Sequence, residues 1–83
     1  MIKVIKHKEA FISYEDMGEW VYLHEWKNKG SSVDGVRIGR IFLRYIKKPI
    51  IASSLKAKII NTALRNGFRE YKKINNRTFL IRR

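Results

Sequence analysis

Lysine and arginine side chains are the groups of this sequence whose type and spacing could do chemistry. Residues 36–83 hold fourteen of them and a single acid, Glu70, which gives this part a net charge of +13. Residues 1–35 carry −1, and the whole chain carries +12 with an isoelectric point near 10.4. An isoelectric point above about 9 is typical of proteins that bind nucleic acid, because their cations neutralise phosphates.

Part of this charge recurs at helical spacing between residues 37 and 47. On a helical wheel these cations form one stripe beside an apolar stripe, and no acid interrupts the run. The stripe consists of Arg37, Arg40, Arg44 and Lys47. Arginine pairs with phosphate through two parallel hydrogen bonds, so we predict that the stripe follows a nucleic acid backbone. The alternative is a solvated helix face, although such faces usually carry charges of both signs.

The remaining cations extend the predicted binding surface towards the C-terminus, where Tyr71 and Phe79 lie among them. Rings beside cations suit single-stranded nucleic acid, since bases stack on the rings while phosphates meet the charges. The sequence therefore predicts RNA in preference to DNA, although the rings could also be core and the lysines could protect an edge strand. The predicted nucleic-acid-binding residues are Arg37, Arg40, Arg44, Lys47, Lys48, Lys56, Lys58, Arg65, Arg69, Lys72, Lys73, Arg77, Arg82 and Arg83.

Two histidines, His7 and His24, are the candidates for catalysis. As a pair, or beside Glu9 or Glu25, they could perform general acid–base cleavage of RNA, and small basic ribonuclease toxins have this size and charge. The lysines that flank His7 are typical of plain surface, so we predict a protein without catalytic residues.

The sequence contains no motif for binding a metal or a cofactor. The chain has no cysteine, and the two histidines show no metal-ligand spacing. Gly35 and Gly39 lack the Lys-Ser/Thr pair that a phosphate-binding loop needs. We therefore predict no metal and no cofactor.

Aromatic and β-branched residues predict that the first third of the chain is β-rich. Strands are expected over residues 2–6, 10–14 and 20–26, with a turn over 15–19 and a loop over 27–32. Together the strands would form an antiparallel hairpin or meander.

Within the third strand, alternation places four side chains on one face, namely Trp20, Tyr22, His24 and Trp26. This face could be core, a dimer interface or a base-stacking platform. Acids lie nearby and would repel phosphate, so we predict core or interface, and a homodimer is the expected consequence of the latter.

The middle of the chain predicts two helices. The first covers residues 34–48, because Ile38, Phe42 and their neighbours follow the helical period, although β-branched residues leave a strand over 36–46 as the alternative. The second covers residues 53–66, with Asn66-Gly67 as a left-handed C-cap. Ser31, Ser32 or Asp34 would cap the first helix, and Ser53 or Ser54 the second. The expected apolar faces are Ile38, Ile41, Phe42, Tyr45 and Ile46, then Leu55, Ile59, Ala63 and Leu64.

Two β-prone runs around Asn75-Asn76 predict a C-terminal hairpin. The predicted fold class is therefore α+β, with an N-terminal antiparallel β-hairpin or meander, two central helices and a C-terminal β-hairpin. The helices would pack on one face of the sheet. A chain of 83 residues makes one domain over 1–83, in which residues 2–26 are β-rich and near-neutral and residues 36–83 are strongly basic.

Two resemblances bear on function. Helix 53–66 followed by a basic hairpin resembles the recognition helix and wing of winged-helix proteins, which implies that residues 54–65 enter a DNA major groove. The short, cysteine-free chain, with more isoleucine than leucine and more lysine than arginine, resembles the small basic early proteins of T4-like phages. That group includes an RNA-binding antitoxin, which implies an inhibitor or antitoxin acting on a host RNA-centred system.

The predicted function is thus a non-catalytic, RNA-favouring nucleic-acid-binding protein. The alternatives are a winged-helix-like DNA-binding regulator, a small ribonuclease toxin and an inhibitor that docks on an acidic or RNA-binding protein. No apolar run reaches the length of a signal peptide or the roughly 18–20 residues of a membrane span, so we expect a cytoplasmic protein without membrane partners, in the host cytoplasm if it is viral.

Overall fold

Short turns and connections separate the strands and helices of the chain. The structure is a computed structural model, and it describes residues 1–28 and 32–83. Its elements are β1 (Ile2–His7), β2 (Ala10–Asp16), β3 (Val21–Asn28), α1 (Ser32–Tyr45), β4 (Ile50–Ser54), α2 (Ala57–Arg65), β5 (Arg69–Ile74) and β6 (Arg77–Arg82). The loop predicted over residues 27–32 lies in part outside the described residues, and Lys27 and Asn28 belong to β3.

The strands form one mixed sheet in the order β1-β2-β3-β4-β6-β5. Neighbouring strands are antiparallel, except that β3 and β4 run parallel. A parallel pair needs a crossover connection, which α1 provides. Neither helix of the described chain is long and apolar enough to cross a membrane.

The predicted layout of meander, two successive helices and hairpin is wrong, because a strand separates the helices. Ile50–Ser54 form β4, which pairs with β3 on one side and β6 on the other. The two consecutive isoleucines favour a strand, and both neighbouring strands leave an edge free for it. Ser53 and Ser54 are consequently strand residues, and α2 begins with Lys56 as N-cap and no side-chain cap.

Both helices pack against the same face of the sheet, which we call the covered face. The ladder registers place Ile12 and Leu80 on this face, together with the other buried hydrophobic strand residues. Ile38 and Phe42 from α1 and Ala63 from α2 complete the buried cluster. The opposite face, which we call the open face, carries neither α1 nor α2.

Each helix turns a narrower apolar stripe inward than predicted. Ile41 and Tyr45 of α1 belong to the predicted stripe but are 44% and 66% exposed. In α2, Ile59 and Leu64 are exposed as well, and Ile60 packs on the core instead. A helix that lies on one flat sheet buries only the side chains that point directly at it.

Two predicted turns are confirmed by the backbone. Asn66 is the C-cap of α2, and Gly67 follows with φ of +90°. Asn75 and Asn76 join β5 to β6 with φ of +50° and +68°. Asparagine tolerates this left-handed region better than most residues with a side chain.

An extra residue in β3 changes which face its aromatic side chains occupy. The ladder between β2 and β3 has a β-bulge, in which His24 is the unpaired residue. A bulge reverses the alternation of the residues beyond it. Trp26 therefore lies on the covered face, not on the face of Trp20 as predicted, and its Nε1 donates a hydrogen bond to the Gly35 carbonyl of α1 at 3.0 Å.

Trp26 explains the need for glycine in the middle of α1. A Cβ built on Gly39 would overlap the indole ring of Trp26 at Cζ2. We expect Gly39→Ala to destabilise the domain by about 1–3 kcal/mol, since extra volume in a packed core displaces its neighbours. Urea denaturation followed by circular dichroism measures this loss. Arg40→Ala at the adjacent exposed position is the control, and equal stability of the two variants would contradict the packing of Trp26.

An ion pair joins the end of β2 to the connection before β4. Lys48 Nζ lies 2.9 Å from both carboxylate oxygens of Asp16, and the Gly18 amide donates to the same carboxylate at 2.9 Å. The Lys48 hydrogen bond, followed by the Gly18 amide, lowers the pKa of Asp16 below its ordinary value. This contact joins the turn after β2 to the segment that leads into β4.

The Asp16–Lys48 contact predicts a loss of stability in acid. Because the pKa of Asp16 is lower in the folded state, its contribution is complete above about pH 4 and disappears as the pH falls further. We expect Lys48→Met to reduce the drop in the urea midpoint between pH 5 and pH 3. Lys47→Met is the matched control, and an unchanged acid slope in Lys48→Met would refute the assignment.

Candidate functional site

The open face carries aromatic and aliphatic side chains that neither described helix covers. Trp20 and Tyr22 of the β3 region lie on it beside Ile51 of β4. Phe79 and Ile81 continue the apolar area onto β6, and all five side chains are half-buried. Parallel strands are usually apolar on both faces because both are covered in the folded protein, and the β3–β4 pair follows this pattern.

The pairing between β3 and β4 ends before the two strands end, and we call the unpaired stretch between them the gap. Their parallel ladder runs from Val21 and Ile50 to Leu23 and Ala52. Beyond this point β3 continues to Asn28 and β4 to Ser54, with no ladder between them in the described residues. The separation starts at the bulge residue of β3, as expected, because a bulge bends its strand and increases the twist.

Two hydroxyl groups meet across the closed end of this gap. Tyr22 Oη and Ser53 Oγ lie 2.9 Å apart on the open face. Arg77 Nη1 of β6 donates to the same Ser53 Oγ at 3.1 Å. The three side chains are partly exposed, so the hydroxyls are placed to bind a polar group that enters the gap.

A histidine–carboxylate pair adjoins the hydroxyls. His24 Nε2 lies 3.1 Å from Glu15 Oε1, and the His24 and Tyr22 rings meet edge to face with centroids 4.8 Å apart. The hydrogen bond from His24 is the largest cause that lowers the pKa of Glu15. Glu15 is therefore a carboxylate at neutral pH. His24 lies two residues after Tyr22 and so shares the open face with it, and Glu15 of β2 reaches this face because it pairs with Tyr22.

Helix N-termini lie at the mouth of the gap. α1 and α2 each follow the carboxyl end of one of the two parallel strands, β3 and β4 respectively. The first turn of α2 contains no acid, whereas that of α1 contains Asp34. Free backbone N–H groups at such ends attract anions, and more so where no carboxylate competes.

The structure distributes the predicted nucleic-acid-binding residues over several surfaces. Thirteen of the fourteen are exposed, and Arg82 is half-buried with Nε donating to the Asn66 carbonyl at 3.1 Å. Arg37, Arg40 and Arg44 lie on the outer side of α1, which packs on β1, β2 and β3. Lys56, Lys58 and Arg65 lie at α2 on the other half of the sheet. Arg69, Lys72 and Arg77 lie on the open face by register, Lys73 faces the other way, and Lys47, Lys48 and Arg83 lie outside the helices and strands.

Sequence reasoning missed Glu15 and Ser53. The predicted turn over residues 15–19 includes Glu15, and Ser53 is a predicted helix cap. The only usable signal for Glu15 is its position at the end of a β-prone run. His7, predicted to be plain surface, is half-buried with Nε2 4.0 Å from Asp34 Oδ1. No group of three metal-binding side chains occurs among residues 1–28 and 32–83.

The chain matches no protein-family model, and no curated protein matches it. Its structure is similar to that of a Bacteroides thetaiotaomicron chain described as an acetyltransferase of the GNAT family, with a TM-score of 0.75 and 17% sequence identity. The likeness covers 95% of this chain and 58% of that one. The two chains share a fold. Because the likeness covers 58% of the other chain, this chain spans less than two thirds of its length.

This likeness corrects the predicted function. The prediction of a non-catalytic nucleic-acid-binding protein depended on net charge, which bears on solubility and association but does not determine fold. The chain instead shares its fold with a chain described as an acetyltransferase, and this likeness contradicts the expectation of a non-catalytic protein. The winged-helix alternative also fails, because β4 pairs into the sheet between α1 and α2, so that residues 32–65 contain no helix–turn–helix before the C-terminal hairpin.

The bulge predicts the outcome of a one-residue deletion. Removing His24 restores a regular ladder between β2 and β3 while Trp26 keeps its place on the covered face. We expect the deletion variant to fold and its β3–β4 ladder to extend, since the bend that separates the strands is gone. New backbone nuclear Overhauser effects between Glu25 and Ser53 would report this extension.

The variant His24→Ala is the control for the deletion. It removes the imidazole but keeps the extra residue, so its gap should remain open. Absence of the Glu25–Ser53 contacts in the deletion variant, or their presence in His24→Ala, would show that the bulge does not hold the gap open.

Proposed function

We propose that this chain binds an acetyl-CoA-type thioester in the gap between β3 and β4 and takes part in transferring its acyl group to an amine. The observation that carries the proposal is the separation of these two parallel strands beyond Leu23 and Ala52, with the Tyr22 and Ser53 hydroxyls at its closed end. The fold neighbour described as an acetyltransferase supports the reaction class.

The edges of the gap suit the pantetheine arm of coenzyme A. This arm is extended and contains two amide groups, which can pair with a strand edge as a peptide does. β3 presents such an edge over residues 24–27, where it has no ladder partner towards β4 in the described chain. The arm would thus take the place of the missing strand pairing.

The mouth of the gap suits the phosphates of the same ligand. Ligands of sheets with parallel strands bind outside the carboxyl ends of those strands. The N-terminus of α2 lies there without an acid in its first turn, and Lys56 and Lys58 lie beside it. Phosphates gain from both the backbone N–H groups and the lysine charges.

The closed end of the gap suits the thioester. Hydroxyl donors aimed at a carbonyl oxygen or a leaving thiolate stabilise the charge that develops there during acyl transfer. Tyr22 and Ser53 hydrogen-bond to each other across adjacent strands, which leaves one of their two O–H groups to donate to the ligand. Arg77 polarises the Ser53 hydroxyl through its hydrogen bond and adds a positive charge.

Isothermal titration calorimetry with acetyl-CoA tests the proposal. A chain of net charge +12 attracts any polyphosphate, so 3′-phosphoadenosine 5′-diphosphate, which lacks the arm and the thioester, is the reference ligand. We expect acetyl-CoA to bind at least about tenfold tighter than this reference, which is about 1.4 kcal/mol. Ser53→Val should abolish that difference, because it removes the donor and narrows the gap.

The matched control is Thr62→Val on α2. Thr62 is exposed and donates its hydroxyl to the Lys58 carbonyl of its own helix at 3.0 Å, away from the gap. This variant should bind acetyl-CoA like the native chain. Equal affinities for acetyl-CoA and the reference ligand in the native chain would refute the proposal, because binding would then depend on phosphate charge alone.

A further inference from the structure

The open face holds a continuous row of polar side chains beside the gap. Glu15 of β2 contacts His24 of β3, whose ring lies against Tyr22. Tyr22 in turn contacts Ser53 of β4, and Ser53 accepts a hydrogen bond from Arg77 of β6. Four neighbouring strands thus contribute to one row that begins with a histidine–carboxylate pair and ends with a guanidinium group.

We propose that this row is the acceptor site of the acyl transfer, in which His24, held by Glu15, removes a proton from an amine, and Arg77 holds a negatively charged group of the same acceptor molecule. The inference rests on the proposed function and names the substrate class that it would act on, an amine that also carries a carboxylate or phosphate.

The contact with Glu15 determines which nitrogen of His24 can act as the base. An ionised carboxylate only accepts hydrogen bonds, so neutral His24 donates through Nε2 and keeps the lone pair on Nδ1. The His24 and Glu15 side chains are 32% and 33% exposed, so an acceptor can reach them. The Met1 ammonium also lies near this pair, 3.6 Å from Glu15 Oε2.

The charges of the open face favour an anionic acceptor. Its described carboxylates are Glu15, which is paired with His24, and Glu25, which is paired with Lys27 at 3.0 Å. Neither of these two carboxylates is therefore free to bind a polycationic acceptor. The cations of this face include Lys72, whose Nζ lies over the Phe79 ring at 5.6 Å, and Arg77, which has no ion-pair partner in the described residues. A guanidinium group binds carboxylate or phosphate in a bidentate manner.

The reaction balances without another reactant. His24 takes one proton from the ammonium form of the acceptor and passes it to solvent. The free amine attacks the thioester carbon, so a C–N bond forms and the C–S bond breaks. The second proton lost by the nitrogen neutralises the leaving thiolate, and the products are an amide and a thiol.

A matched set of small amines tests the acceptor class. β-Alanine, 3-aminopropan-1-ol and 1,3-diaminopropane share a three-carbon primary amine but differ in the charge of the second group, and O-phosphoethanolamine adds a phosphate. The chain has no cysteine, so a thiol reagent reports release of coenzyme A without background from the protein. We expect β-alanine or O-phosphoethanolamine to be acetylated at least about tenfold more efficiently than 1,3-diaminopropane.

Two substitutions test the roles of the side chains. His24→Gln should lower kcat about 10²- to 10⁴-fold, as expected for loss of a general base, and leave the KM for acetyl-CoA unchanged. Added imidazole should restore part of the rate to His24→Ala. Arg77→Glu should raise the KM for the anionic amine and reverse the charge preference.

Lys73→Glu is the matched control for Arg77→Glu. It makes the same charge change on the neighbouring strand β5, but by register on the other face of the sheet, and should not alter the preference.

The outcomes separate this inference from the proposed function. If acetyl-CoA does not bind through the gap, the proposed function fails and the inference fails with it. If acetyl-CoA binds there, the inference alone is overturned by any of three results: no amine of the set is acetylated, the diamine is preferred, or His24→Gln retains the native kcat.

Discussion

One extra residue in β3 sets both the packing and the candidate site of this domain. Before the bulge, Leu23 faces the helices and Tyr22 faces away from them. After it, the alternation starts again, so Trp26 reaches α1 and hydrogen-bonds to its backbone. The pairing with β4 ends at the same point of β3. The packing of Trp26 on α1 and the end of the parallel ladder therefore coincide with a single backbone irregularity, which leaves one residue unpaired in the ladder.

The basic side chains lie on the surfaces that the packing of the helices on the sheet leaves exposed. Cations cover the outer sides of both helices and part of the open face, while the acids lie mainly on β2, β3 and the turn between them. Asp16 forms an ion pair with Lys48, and Glu15 accepts a hydrogen bond from His24 on the neighbouring strand. The remaining cations give the molecule a positive field that would raise the local concentration of phosphate-bearing ligands.

Local patterns predicted much of the fold, and pairing between distant segments explains what they missed. The β-rich start, the Asn66-Gly67 cap and the Asn75-Asn76 turn depend on neighbouring residues and were predictable. β4 was not predictable from local patterns, because the five residues Ile50–Ser54 are too short a segment to show strand alternation. They form a strand because they pair with β3 and β6. The predicted face of Trp26 was wrong for a related reason, since alternation counted along one strand cannot reveal a bulge. For the site, His24 was a candidate, but its partner Glu15 lies on another strand and only the sheet brings them together.

The position of β4 also has a consequence for how the domain folds. β1, β2 and β3 pair with their neighbours in sequence, and so do β5 and β6, so both groups consist of local contacts that form early. β4 is the strand that joins the two groups, and its pairing with β3 must wait until α1 has closed a long loop. We therefore expect the pairing of β4 to limit the rate of folding. We also expect it to make unfolding cooperative, because among the described strands β4 alone is hydrogen-bonded to both groups.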